Sequence, residues 1–188
     1  MLKKNKKKII LLFGPTASGK SRLALDIAKE YNAEIINADS MQVYKEVKIL
    51  SARPYDKNIK HHLYGFLSVR TNFSTGSWYK LAAKKIKDIN KRGKVALVVG
   101  GTGLYFKALT EGLSEVPEVP KINMSSKLDK DYILKNPKIF KDISINDKQR
   151  LQRAISVYKH TGKPLWVWQK KNKKIFKDRE FTKIFIQP

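Results

Sequence analysis

The chain has 188 residues, 41% of them hydrophobic, and a formal charge of +24 from 40 Lys+Arg against 16 Asp+Glu. That length supports one sizeable core, or one core with a small appendage, and the apolar content excludes a chain disordered throughout. The absence of cysteine excludes a disulfide framework and a thiolate metal site, while the charge favours a polyanion such as RNA, DNA or an acidic membrane surface, although the excess of lysine over arginine is also what an AT-rich genome would produce.

Residues 3–8 are basic and residues 9–13 apolar, a superficial likeness to a signal peptide. The apolar run is too short for one and leads straight into a glycine loop. No apolar run approaches a membrane-spanning length, so a soluble, cytoplasmic protein is expected. Ile9-Ile10-Leu11-Leu12-Phe13 reads as a buried strand. Gly14-Pro15-Thr16-Ala17-Ser18-Gly19-Lys20-Ser21 follows and fits the P-loop pattern G-x-x-x-x-G-K-[ST] at every fixed position. After it, Leu23, Ile27 and Ala24 are expected on one face of a helix. Strand, glycine loop and helix make a phosphate cradle, with backbone N–H groups turned inward and the helix adding its positive end. Lys20 would lie against phosphate oxygens, and the Ser21 hydroxyl would hold Mg²⁺.

Glu34-Ile35-Ile36-Asn37 reads as a second strand, ending at Ala38-Asp39-Ser40-Met41-Gln42-Val43-Tyr44. Residues just past the carboxyl ends of strands face the ligand crevice of an open α/β sheet, which places Asp39 and Ser40 towards the space of the P-loop. Asp39 could equally cap a helix starting near Ser40. Residues 45–60 read as a loop. The adjacent pair His61-His62 cannot lie on one helical or strand face, so structural or hydrogen-bonding roles are expected rather than a two-histidine metal site.

Residues 74–92 read as a helix with Trp78, Leu81, Ala82, Ile86 and Ile89 as its core stripe and Gly93 ending it. Residues 94–99 read as a further buried strand, running into Gly100-Gly101-Thr102-Gly103 and a helix over residues 104–109. This alternation predicts an α/β fold, a P-loop NTPase-like parallel sheet flanked by helices, built from βαβ units. Residues 1–112 are expected to form that core and residues 113–145 a linker and reduced helical insert. Residues 146–188 supply a helix and a final strand returning to the core. Within the last segment, Asn146 and Gln149 resemble a capping box. Leu151, Ala154, Ile155 and Tyr158 form an apolar face, and Arg150 and Arg153 share the other side. Thr161-Gly162-Lys163-Pro164 is a stop, residues 166–174 a short helix with a basic flank, and residues 182–187 a last strand.

Several of these stretches together resemble one family. Gly14 to Ser21, the run Asn37-Ala38-Asp39-Ser40-Met41-Gln42-Val43-Tyr44, His61-His62-Leu63 and Val99-Gly100-Gly101-Thr102-Gly103-Leu104-Tyr105 come first. Glu111-Gly112-Leu113-Ser114, Asn146-Asp147-Lys148-Gln149-Arg150-Leu151-Gln152-Arg153-Ala154 and Thr161-Gly162-Lys163-Pro164 follow in order. The chain is similar to the bacterial tRNA dimethylallyltransferases (isopentenyl-tRNA transferases). The Asp-Ser-Met-Gln-Val-Tyr run joined to Gly-Gly-Thr-Gly-Leu-Tyr carries the specificity of the match.

The resemblance implies transfer of a dimethylallyl group from dimethylallyl diphosphate to N6 of adenine 37 in tRNA. It implies that Gly14, Pro15, Thr16, Ala17, Ser18, Gly19, Lys20 and Ser21 hold the diphosphate, with Mg²⁺ at Ser21. Asp39 would be the general base, with Thr102 and Lys20 as its catalytic companions. Ser40, Met41, Gln42, Thr102 and then Gln149, Arg150, Leu151, Gln152 and Arg153 would contact tRNA. Against the family pattern, the segment between Pro120 and Ile143 is short and the chain stops at Pro188 where members continue, so a reduced or truncated member is expected, acting as a monomer without a membrane. Two other readings stand beside it. One is a P-loop small-molecule kinase, against which the strand at 95–99 ends in Gly100 rather than a metal-holding acid. The other is a non-catalytic RNA-binding protein.

Overall fold

Runs of β-branched and apolar residues buried on both faces make parallel strands, and this chain has three such runs side by side. In the computed structural model the described residues are 9–54, 56–122, 126–170 and 172–187. The basic run at 3–8, residues 123–125 of the expected linker, Lys171 of the expected basic flank and the terminal Pro188 lie outside them. Contacts divide the chain into two compact units, Met1–Glu111 with Lys174–Pro188, and Gly112–Lys173. The helix expected to return to the core with the last strand therefore groups with the segment before it, and only the residues after Lys173 join the sheet.

In the first unit β1 (Ile9–Phe13), α1 (Lys20–Glu30), β2 (Ala33–Asn37), β3 (His61–His62), α2 (Thr75–Lys91), β4 (Val95–Gly100) and α3 (Gly103–Glu111) follow one another. The second unit contributes β5 (Leu113–Ser114), α4 (Ser126–Lys135), α5 (Lys148–Thr161), α6 (Leu165–Gln169) and β6 (Asn172–Lys173), after which β7 (Phe181–Phe185) closes the first. The sheet of the first unit has the order β3-β2-β4-β1-β7 and all its pairings are parallel. The expected parallel α/β architecture holds. The two-residue β3 lies in a stretch with no strand periodicity and escapes a sequence reading.

Alternation along the strands sends Ile10, Leu12, Ile35, Leu97 and Val99 to the face covered by α1 through Ala24, Ile27 and Ala28. Leu23, expected with them, is 37% exposed, because it sits at the edge of the arc those three positions span. In α2 the buried residues are Trp78, Tyr79, Ala82, Ala83, Ile86 and Ile89. That arc is centred between Trp78 and Ala83, which turns Leu81 out to the flank instead of the core. Ser74 caps this helix, its side chain accepting from the amide of Ser77.

One buried charge breaks the apolar pattern of the sheet. Glu34, 1% exposed, accepts from Arg92 at 2.7 and 2.9 Å and pairs with His62 Nε2 at 2.7 Å and Lys94 at 3.3 Å. Burial works to raise its pKa, but the bonds from Arg92, His62 and Lys94 outweigh burial and hold it at about 2. Burial in turn keeps the His62 pKa low despite the carboxylate beside it. His62 thus takes the hydrogen-bonding role expected for the histidine pair.

The second unit packs Ile139, Phe140, Leu151, Ala154, Ile155, Val157 and Leu165 together, with Val116, Val119 and Ile122 of the expected linker against them. The cap of α5 is Asp147, whose Oδ1 accepts from the Arg150 amide at 3.0 Å, not Asn146. The Asn146 amide donates to Ser144 Oγ, and the helix starts one residue further on than the sequence suggests. Tyr158 lies at the margin of the apolar face and Val157 takes the buried place. The expected helix over 166–174 ends at Gln169, and β6 pairs antiparallel with β5.

Candidate active site

The strand order decides what can meet. β2, β4 and β1 are neighbours, so the residues following their carboxyl ends lie in one row: Asp39 after β2, Gly100 to Thr102 after β4, and the glycine loop after β1. Two strand spacings amount to about 10 Å, close enough for both outer members to wall one cavity. That cavity has a volume of about 450 Å³ and is lined by Thr16, Ala17, Ser18, Gly19, Lys20, Ser21, Arg22, Asp39, Gln42, Ser51, Ala52, Tyr64, Val99 and Gly100.

The loop from Gly14 leads into α1, which begins at Lys20 with Gly19 at its cap in the left-handed region, φ 79°. Glycine takes that conformation without a Cβ penalty. Ala17 also has a positive φ, 63°, and together the two turn the chain around the cavity. The Lys20 ammonium donates to the Pro15 carbonyl and lies 3.4 Å from Ser18 Oγ. Burial lowers its pKa, and the charge of Asp39 partly counters that. Lys20 and Asp39 both line the cavity. Gly14 and Pro15, expected in the cradle, supply its backbone and are not among the residues lining the cavity.

Asn37, buried at the end of β2, sets the path of the chain past Asp39. Its side chain accepts from the Asp39 amide at 2.8 Å and donates to the carbonyls of Asp39 and Leu63 at 2.9 and 3.0 Å. Its own carbonyl accepts from Trp78 Nε1 at 2.8 Å. Asp39 Oδ1 accepts from the Met41 amide at 2.8 Å, an Asx-type turn rather than the start of a helix. Ser40 and Thr102 meet directly, the Ser40 amide donating to Thr102 Oγ1 at 2.9 Å. Met41 is 54% exposed. Gln42 reaches across to the Ser51 carbonyl at 2.7 Å.

Gln149, Arg150, Leu151, Gln152 and Arg153 lie together at the start of α5 in the second unit, but they do not form one ligand-facing surface. Leu151 is 3% exposed in that unit's core, which removes its side chain from contact with a ligand. Gln152 donates to the Ile122 carbonyl at 3.0 Å and Arg153 to the Pro117 carbonyl at 2.9 Å. Arg150 is exposed and pairs with Asp147.

Tyr64, Arg22, Ser51 and Ala52 line the cavity without having been singled out in the sequence. Tyr64 follows β3 as Asp39 follows β2, so a reading that recognised the short strand would have found it. Burial pushes its phenol pKa up, and Asp39 pushes it further. Tyr105, stacked on Trp78 with ring centroids 4.2 Å apart, is pushed up to about 12 by burial, with Tyr44 and Asp39 adding to it. Both phenols are donors at neutral pH. Among the described residues no group of three His, Cys, Asp or Glu side chains could hold a metal ion. The Ser21 hydroxyl on the cavity wall suits a cation that takes most of its ligands from phosphate oxygens and water.

A family model described as IPP transferase matches residues 42–188. The tRNA dimethylallyltransferase of Pelagibacter ubique is 48% identical over 193 residues, covering 95% of this chain and 62% of its own length. That of Rickettsia prowazekii is 44% identical, with 97% and 64% covered. This chain thus spans rather less than two thirds of the length of these relatives. Among solved structures, a eukaryotic dimethylallyltransferase acting on tRNA superposes with a TM-score of 0.77 at 27% identity, over 96% of this chain and 48% of that one. The tRNA isopentenylpyrophosphate transferase of Bacillus halodurans superposes with a TM-score of 0.56 at 30% identity, over 85% and 57%.

Proposed function

The chain belongs to the IPP transferase family, and from that premise we propose that it transfers a dimethylallyl group from dimethylallyl diphosphate to N6 of adenine 37 in tRNA. The observation that carries the reading is that Lys20 and Asp39 line one and the same cavity. A phosphate cradle and a carboxylate on one cavity suit the displacement of a diphosphate by an amine.

Adenine N6 is a poor nucleophile because its lone pair is delocalised into the ring. As N6 bonds to the allylic carbon, the carbon–oxygen bond to the diphosphate breaks and its electron pair leaves with the diphosphate. The N–H becomes acidic as the new bond forms, and the Asp39 carboxylate accepts the proton. Lys20 and the loop N–H groups stabilise the charge growing on the leaving group, most strongly in the transition state. Thr102, bonded to the Ser40 amide, holds the segment that carries Asp39. A Mg²⁺ ion at Ser21, bound with the diphosphate, would neutralise charge on its oxygens.

Ser40, Met41 and Gln42, the residues that follow Asp39, are proposed to contact the RNA loop that delivers the adenine, which has to leave its stack to react. The +24 charge supplies salt-dependent affinity, and Gln149, Arg150, Gln152 and Arg153 are proposed as further tRNA contacts. A monomer acting in the cytoplasm completes the proposal. Among the described residues no helix is long and apolar enough to cross a membrane.

The test is transfer of label from dimethylallyl diphosphate to an anticodon stem-loop by the 188-residue chain. Asp39→Asn keeps the turn to Met41, and it is expected to lower turnover by about 100-fold or more while leaving diphosphate binding intact. Lys20→Ala is expected to weaken that binding. Dimethylallyl diphosphate should raise the melting temperature more than ATP does. ATP stabilising more strongly would favour a kinase, and RNA binding with no transfer would favour a non-catalytic protein.

A further inference from the structure

We propose that Ile49 and Leu50 form an apolar wedge that enters an RNA loop and occupies the place of the adenine once it leaves its stack; this rests on the RNA-modifying reading above. These two side chains are 91% and 89% exposed, the most exposed of the large apolar residues described.

Their exposure is not that of a loose segment. The backbone around them is closed by bonds from the Ser51 amide to the Val47 carbonyl at 2.9 Å, from Ala52 to Ile49 at 3.0 Å and from Arg53 to Lys48 at 3.2 Å. Gln42 ties the Ser51 carbonyl from below, and the Arg53 guanidinium donates to the Tyr44 carbonyl. A held turn therefore presents two aliphatic side chains to solvent.

The position of the turn points to what covers them. Ser51 and Ala52, the next residues, line the cavity shared by Asp39 and Lys20, so the pair adjoins the wall of the cavity that would receive the base. Lys45 and Lys48, both exposed, flank it, and the exposed Glu46 between them is turned onto the Val69 amide at 3.1 Å, which leaves the flank positive on balance. Aliphatic tip, basic flank and adjoining cavity together match an unpaired RNA loop, whose bases offer apolar faces beside phosphates. Side chains of this kind are inserted between bases where a nucleic acid stack is opened. The wedge would hold the neighbouring bases apart and prevent the adenine from returning.

The experiment uses the full chain and an anticodon stem-loop with 2-aminopurine beside the reacting adenine. Wild type is expected to bind the stem-loop and raise the 2-aminopurine fluorescence. The double variant Ile49→Ser, Leu50→Ser is expected to bind it about tenfold more weakly with little fluorescence change. Its melting temperature and its affinity for dimethylallyl diphosphate should match wild type, because the substituted surface is solvent-exposed. Ile49→Met with Leu50→Met should restore binding. Both readouts come from binding, so a chain that binds and unstacks the loop without transferring the prenyl group fails the transferase reading and supports the wedge. Equal stem-loop binding by wild type and the serine variant overturns it. An equal loss of affinity for a fully paired RNA hairpin, or conversion of a wild-type dimer into a monomer by the serine substitutions, also overturns it, the first showing a general RNA contact and the second a protein–protein contact.

Discussion

The amide of Ser40 donates to the hydroxyl of Thr102 at 2.9 Å, while the amide of Thr102 donates to the carbonyl of Ala38 at 3.1 Å. These two bonds clamp the chain leaving β2 to the chain leaving β4, with Asp39 held between their ends. Thr102→Val keeps the shape and removes the acceptor. It should cost about 1 kcal/mol in urea unfolding, and turnover should fall by more than that loss of folded protein explains, because Asp39 loses its support. An unchanged rate at saturating substrates would remove Thr102 from the positioning of Asp39.

Gly100 makes the same junction sterically possible. A Cβ there would lie 2.2 Å from both the carbonyl carbon and the carbonyl oxygen of Ala38, and backbone on both sides leaves nothing flexible to move. Gly100→Ala should cost about 3 kcal/mol, lowering the thermal midpoint by roughly 6–12 °C. Gly101→Ala is the control, since a Cβ there meets only the Gly14 carbonyl at 3.5 Å, an ordinary contact.

The Glu34 network makes stability depend on acid. The Glu34 pKa is depressed from 4.5 to about 2, so its contribution is complete above the unfolded value and lost as pH falls through about 2. The His62 pKa is also lowered from 6.5, so the unfolded chain takes up that proton first and stability declines once pH falls below the unfolded value. Glu34→Gln should cost about 3 kcal/mol near pH 7. In urea titrations the gap between variant and wild type should close as pH approaches 2. A gap constant with pH would assign the loss to packing rather than to charge.

Much of the site was legible because its chemistry is local. The loop from Gly14 to Ser21 announces itself by its glycine spacing, and an apolar run ahead of it marks the strand that presents it. Asp39 was legible as a carboxylate just past a strand end. Less regular features escaped. Tyr64 follows a strand of two residues, too short for periodicity to register, and Ser51 and Ala52 lie in a segment without pattern. Leu23 and Leu81 were misassigned because a helix of mixed apolar residues does not state the centre of its buried arc; the packing partner chooses it. The cap moved from Asn146 to Asp147 because two adjacent residues could both cap, and the Asp147 carboxylate is the one that reaches the Arg150 amide.

The order of residues along the chain determined the parallel α/β character, the glycine loop between β1 and α1 and the family resemblance, since each follows from contacts among residues close in sequence or from side-chain type. The placing of β4 between β2 and β1 was decided by tertiary structure alone. That choice depends on which strand edges pair so that both sheet faces are covered by helices, an interaction between segments about 60 residues apart for β2 with β4 and about 90 for β1 with β4. It is what brings the chain past Asp39, Thr102 and the loop before Lys20 into one row, with Gln42, Ser51 and Tyr64 on the wall of the cavity.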